Sequence, residues 1–146
     1  MARMNDRVAL VTGAASGIGR ATALAFGHAG ARVAVADLDG DGIANTLRAL
    51  EQQGADAFAM RTDVSRAEDV VALFARIEER FGRLDFAFNN AGIEGRMAPA
   101  DALEEADWDR VLAVNLKSVW LCLKEELRLM RPARRGSIIC CSSVAG

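Results

Sequence analysis

Val8-Ala-Leu-Val-Thr12-Gly13-Ala-Ala-Ser16-Gly17-Ile18-Gly19-Arg20 is the stretch on which the reading of this chain turns. A short apolar run without proline reads as a strand buried on both faces. It enters a glycine-rich turn, and the turn opens directly into a helix. Glycines permit positive φ and let the backbone approach a ligand with no Cβ in the way. The helix start behind them offers unpaired amides and a partial positive charge, a ready anion site. Strand, turn and helix stand in the order a pyrophosphate cradle requires.

Outward from this stretch the same pattern repeats. Apolar runs at Val8–Thr12, Arg32–Asp37, Asp56–Arg61, Leu84–Asn89 and Ser137–Ser142 alternate with helix-period segments at about Gly17–Ala29, Asp41–Gln53, Arg66–Phe81 and Glu104–Met130. Gly30, Gly54 and Gly82 each follow a helix, where a left-handed residue closes the last turn. Ser65 with Glu68 reads as a capping box, and Pro132 is expected to end the fourth helix. Val70, Phe74, Ile77 and Phe81 share one face of the third helix. In the fourth, Trp108, Leu112, Val119, Leu123, Leu127 and Met130 read as a core stripe. A further apolar surface lies around Val111, Trp120 and Leu121. Strands alternating with helices imply β-α-β units, a parallel sheet and helices on both of its faces. The fold class is α/β, a three-layer doubly wound sheet.

Asp37 closes the second strand, near the ~20-residue offset from the glycine turn at which a carboxylate meets an adenosine ribose. It would also repel a 2′-phosphate, and its neighbours Ser16 and Leu38 add no cation. NAD is therefore expected in preference to NADP. Asp37 as a plain turn residue before Asp39 and Gly40 is the competing reading.

Composition narrows the rest. Of 146 residues, 51% are apolar and 26% charged, with a net charge of −2, so nucleic acid is not an expected partner. No apolar run approaches the ~20 residues of a membrane span, and no signal peptide fits the N-terminus. A cytoplasmic location is expected. With one histidine, and with three cysteines in no metal-binding spacing, no metal site is expected. Cys122, Cys140 and Cys141 read as buried hydrophobes.

Five motifs in order resemble the short-chain dehydrogenase/reductase family. They are Thr12-Gly13-x-x-x-Gly17-Ile18-Gly19, Asp63-Val64, Asn89-Asn90-Ala91-Gly92, Val114-Asn115-Leu116 and Gly136-Ser-Ile-Ile-Cys-Cys-Ser142-Ser143. The resemblance runs from about Arg7 to Gly146. It implies a Rossmann-like sheet in the order 3-2-1-4-5, with the chain, residues 1–146, as a dinucleotide-binding domain truncated after its fifth strand. The cofactor-binding set it implies is Gly13, Ser16, Gly17, Ile18, Gly19, Asp37, Leu38, Asp63, Val64, Asn90, Ala91 and Gly92. Asp63 and Val64 would contact adenine. Ser143 would orient the substrate oxygen, and Asn115 would position a water. Cys140 stands where the family often has Asn, so a local hydrogen bond is expected to be missing.

The activity implied is hydride transfer between NAD and a secondary alcohol or ketone. A Tyr-x-x-x-Lys pair completes the family's catalytic set, and these 146 residues contain no tyrosine. A dinucleotide-binding fragment without catalysis is thus the alternative, and a phosphate-binding α/β protein without redox chemistry a third. Glu94 and Arg96 either border a substrate mouth or belong to a solvated loop. A homodimer or homotetramer through the helix around 104–131 is expected.

Overall fold

The computed structural model describes residues 4–143. Five parallel strands, β1 (Val8–Thr12), β2 (Arg32–Asp37), β3 (Ala57–Arg61), β4 (Phe86–Asn89) and β5 (Ser137–Cys140), form one sheet in the order β3-β2-β1-β4-β5. The connecting helices are α1 (Gly17–His28), α2 (Gly40–Gln52), α3 (Ala67–Phe81), α4 (Glu105–Leu112) and α5 (Ser118–Ala133).

Period-two geometry explains the layers. Val8 and Leu10 of β1 pack with Val70, Leu73, Phe74 and Ile77 of α3 and with Leu121 and Cys122 of α5. Ala9 and Val11 point the other way, into a cluster with Ala23 of α1 and Ile43 and Leu50 of α2. All five residues of β1 are therefore buried. Its neighbours are in register on both sides, Leu10 opposite Ala34 of β2 and Ala87 of β4.

Gly30, Gly54 and Gly82 take φ of 92°, 77° and 69°, the left-handed closures their positions require. The start of α3 differs from the expected capping box. Arg66 is its N-cap residue and provides no side-chain cap. The Ser65 hydroxyl is turned back onto Asp63 Oδ1 at 2.6 Å, and Glu68 pairs with Arg66 instead.

The long fourth helix is not uniform. Between α4 and α5 the chain makes a π-helical turn, Ala113–Lys117. This wider turn shifts the phase of everything after it, so a stripe drawn at one period from 108 to 130 does not hold. Ser118, Leu121, Cys122, Glu126 and Met130 face the sheet. Trp108, Leu112 and Leu127 are exposed, and Leu121, assigned to the outer surface, is core. Pro132 lies inside the last turn of α5, which runs on to Ala133 and closes on left-handed Arg134. Cys122 is buried, but Cys140 and Cys141 are exposed. Among the described strands β5 pairs with β4 alone, and three of its four residues are exposed. No helix of the described residues is long and apolar enough to cross a membrane.

Candidate functional site

The C-terminal ends of β1 to β4 open on one side of the sheet, where a doubly wound fold places its ligand crevice. A cavity of about 410 Å³ lies there. Gly13 after β1, Asp37 and Leu38 after β2, Asp63 and Val64 after β3, and Ala91 and Gly92 after β4 all line it. A larger groove of about 620 Å³ between β3 and α3 lies away from these motifs, lined by residues such as Phe58, Met60 and Ala72.

The turn after β1 is held from below by β4. The Thr12 hydroxyl oxygen accepts from the amides of Asn90 at 3.1 Å and Ala91 at 3.2 Å. Asn90 Nδ2 donates to the Thr12 carbonyl at 3.2 Å and the Gly13 carbonyl at 3.1 Å. Asn90 is thus a strut behind the wall, while its neighbours Ala91 and Gly92 form the wall. At Gly13, φ is +65°, and a Cβ would lie 2.8 Å from Ala91 Cα. At Gly19, buried behind the turn, a Cβ would fall 2.0 Å from the Gly13 carbonyl oxygen.

Gly17 differs from these two. A Cβ there would meet nothing within 4 Å, so the space over the first amides of α1 is open. Ser16, the N-cap residue, makes no side-chain cap, and no acidic residue stands in the first turn. Ser16, Gly17 and Ile18 are all exposed at this lip. An open backbone cradle at an uncapped helix start fits a pyrophosphate.

The Asp37 carboxylate is fixed by two amides. Oδ2 accepts from Ala15 at 3.0 Å and Oδ1 from Asp39 at 3.0 Å. It therefore ties β2 to the glycine turn while still facing the cavity. The expectation of no cation nearby needs correction. Asp37 is opposite Arg61 in the β2–β3 register, and Arg61 Nε donates to the Leu38 carbonyl at 3.1 Å. Arg110 of α4 also lines the cavity. Strand pairing sets Arg61 opposite Asp37 and helix packing brings Arg110 to the cavity wall, which neighbours in sequence do not reveal.

Asp63 Oδ1 accepts from the Ser65 amide at 3.0 Å, and the Asp63 amide donates to Asp69 Oδ2 at 3.0 Å. Asn115 sits in the π turn and clamps the loop after β4. Its Oδ1 accepts from the Ile93 amide and its Nδ2 donates to the Ile93 carbonyl, both at 2.9 Å. Ile93, Thr62, Ser65, Ala113 and Val114 line the cavity as well; of these the sequence marks only Val114, quoted in a motif, and Ser65, read as a helix cap, and neither as part of a site. Ser143 is exposed just beyond β5 and is not among the lining residues. Glu94 and Arg96 are exposed, Arg96 pairing with Glu104 at 3.6 Å, as a solvated loop would be.

Geometry of this kind defines a dinucleotide-type α/β site, and comparison with known proteins gives it a family. The family described as short chain dehydrogenase matches residues 7–146, and the chain belongs to it. A 3beta-hydroxysteroid dehydrogenase of Mediterraneibacter gnavus is 43% identical over 146 residues, covering 100% of this chain and 52% of the relative. The NAD+-bound structure of a xylitol dehydrogenase superposes with a TM-score of 0.94 at 34% identity, over 98% of this chain and 55% of that one. A metagenomic short-chain oxidoreductase solved with NADP gives a TM-score of 0.93 at 35% identity, over 97% of this chain and 64% of that one. The chain spans about half the length of the curated relatives it matches.

Proposed function

We propose that this chain is the dinucleotide-binding part of an NAD-dependent oxidoreductase that moves hydride between nicotinamide and a secondary alcohol or ketone. One observation carries the reading. Gly13 of the glycine turn, the amide-fixed carboxylate of Asp37 and the Asp63–Val64 turn converge on one cavity, and the uncapped start of α1 follows Gly13 directly in the chain. The cofactor would supply the hydride chemistry itself.

The chain's own residues do the holding. The amides of Ser16, Gly17, Ile18 and Gly19 would bind pyrophosphate, with Gly13 keeping the floor low. Asp37 would accept from the adenosine ribose, Leu38 would cover it, and Asp63 and Val64 would border adenine. Asn90, Ala91 and Gly92 would hold the middle of the crevice. Asn115 has both side-chain polar atoms committed to Ile93, so its part in positioning a water falls to the π-turn backbone it fixes. Ser143 would hydrogen-bond the substrate oxygen. A small-molecule substrate, a cytoplasmic location and a homodimer or homotetramer complete the proposal.

NAD against NADP is the finer part of it. A carboxylate with both oxygens already aimed by amides repels a 2′-phosphate, while Arg61 and Arg110 pull the other way. Calorimetry on the full-length protein is expected to show tighter NAD(H) binding, with Asp37→Ala narrowing the gap. Equal affinities in the unaltered protein would overturn the preference. Residues 1–146 alone, having no tyrosine, form the second reading. They would bind dinucleotide without turnover, since losing a positioned acid–base group costs about 10²–10⁴-fold. Comparing NADH absorbance traces for both lengths on a panel of secondary alcohols separates the two.

A further inference from the structure

Glu126 of α5 has no exposed surface, and no ion pair reaches it among the described residues. It faces Asn89, the last residue of β4, itself buried. Asn89 Nδ2 donates to Glu126 Oε2 at 3.2 Å and makes a longer contact to Cys140 Sγ at 3.9 Å. Two oxygens remain, Glu126 Oε1 and Asn89 Oδ1, both buried and without a hydrogen-bond partner. Both are acceptors when the carboxyl is ionised, and a buried acceptor left unpaired is costly. One proton on Oε1 would make it a donor, and Asn89 Oδ1 is the unpartnered acceptor on the residue Glu126 already meets, so a bond between them would satisfy both atoms together.

We propose that Glu126 is held as a neutral carboxylic acid in a two-point acid–amide pair with Asn89. The pair is a latch between α5 and the end of β4 that weakens when the acid ionises. Asn89 Nδ2–H donates to Oε2 while the Glu126 hydroxyl donates to Asn89 Oδ1. Ionisation removes the second bond and leaves the amide oxygen unpaired. Asn89 directly precedes the Asn90 strut, and its carbonyl accepts from the Cys141 amide at 2.8 Å, so Glu126 is a positioning residue for the crevice floor.

Burial pushes the Glu126 carboxyl up to about 7, against the opposing effect of the Asn89 donor. The groups facing it add no positive charge. On α5 the Cys122 thiol is pushed up to about 12 by burial first and then by Glu126 and Cys140. Cys140 approaches from β5 and Asn89 from β4. On the α3 side, Glu78 is joined to Arg128 at 2.9 Å. Because the folded value is raised, the stabilisation is complete below the ordinary carboxylate value of about 4.3. It is lost as pH rises towards about 7 and is constant above.

The test uses the full-length protein and does not depend on the oxidoreductase reading. Thermal midpoints are measured from pH 4.5 to 8.5 for the unaltered protein and for Glu126→Gln, whose amide can donate to Asn89 Oδ1 at every pH. The midpoint of Glu126→Gln relative to the unaltered protein is expected to rise by several degrees as pH climbs to about 7, then hold. Parallel traces across the range would overturn the proposal. Should Glu126→Gln fail to fold, carboxyl carbon NMR of the unaltered protein decides. A Glu126 resonance with its midpoint near 7 supports the latch, and one in the ordinary carboxylate range rejects it.

Discussion

Asp85 is the most heavily engaged carboxylate among the described residues. It sits almost fully buried before β4, accepting from the Val8 amide at 3.0 Å and from Arg7 at 3.0 Å, with Arg83 also bonded and Arg135 at 3.7 Å. Burial works to raise its pKa, but hydrogen bonds from Arg83, the Val8 amide and Arg7 outweigh that and hold it below the usual range. Its stabilisation is therefore present above the ordinary value of about 3.9 and is lost as pH falls through the lowered folded value. Asp85→Asn should cost about 3 kcal/mol in denaturant unfolding at neutral pH, the scale for breaking a buried ionic contact. The gap should shrink below about pH 4. Gly19→Ala should be worse tolerated than Gly17→Ala, because only the former places a Cβ on a carbonyl oxygen. Thermal melts of the two variants check this. The glycine turn and Asp37 were legible because strand, turn and helix are contiguous in sequence. Thr12 as a double acceptor, Arg61 beside Asp37 and Glu126 under Asn89 were not, since each meets its partner only through the packed sheet.

Among the elements, the π turn at Ala113–Lys117 is one that sequence patterning missed. Its amphipathic period looks continuous on either side, and only the phase of the buried residues after it reveals the extra width. Asn115 shows what the turn is tied to, since both hydrogen bonds to Ile93 come from this one side chain. Asn115→Ala should cost about 1–3 kcal/mol from two lost hydrogen bonds and weaken nucleotide binding through a loosened Ile93 wall. Denaturant unfolding and cofactor titration read the two effects separately. The parallel strands were readable because burial on both faces leaves a plain apolar signature. The capping of α3 was not, because Ser65 had a nearer acceptor in Asp63. Deep packing of α3 gives a further expectation. Phe74, fully buried, should cost about 3–5 kcal/mol on replacement by Ala.

For the molecule as a whole, the surface of α4 and α5 leaves an apolar group in water. Trp120 is 54% exposed, Leu116 65% and Leu112 38%, and together they line a cavity of about 460 Å³ with Asp109 and Lys117 at its edge. In the proposed homo-oligomer such a patch would serve as the association surface. Trp120→Glu in the full-length protein should shift light-scattering mass towards the monomer at micromolar concentration, and an unchanged mass would place the contact elsewhere. The sheet order carries a consequence for how the chain is made. β1 sits between β2 and β4, yet β4 lies about half the chain further on. At roughly 5–20 residues per second on a ribosome, β4 is synthesised on the order of ten seconds after β1. For that interval β1, whose five residues are all buried in the finished sheet, has one flank unpaired, a sticky nascent segment on which chaperone contact during synthesis would bear most.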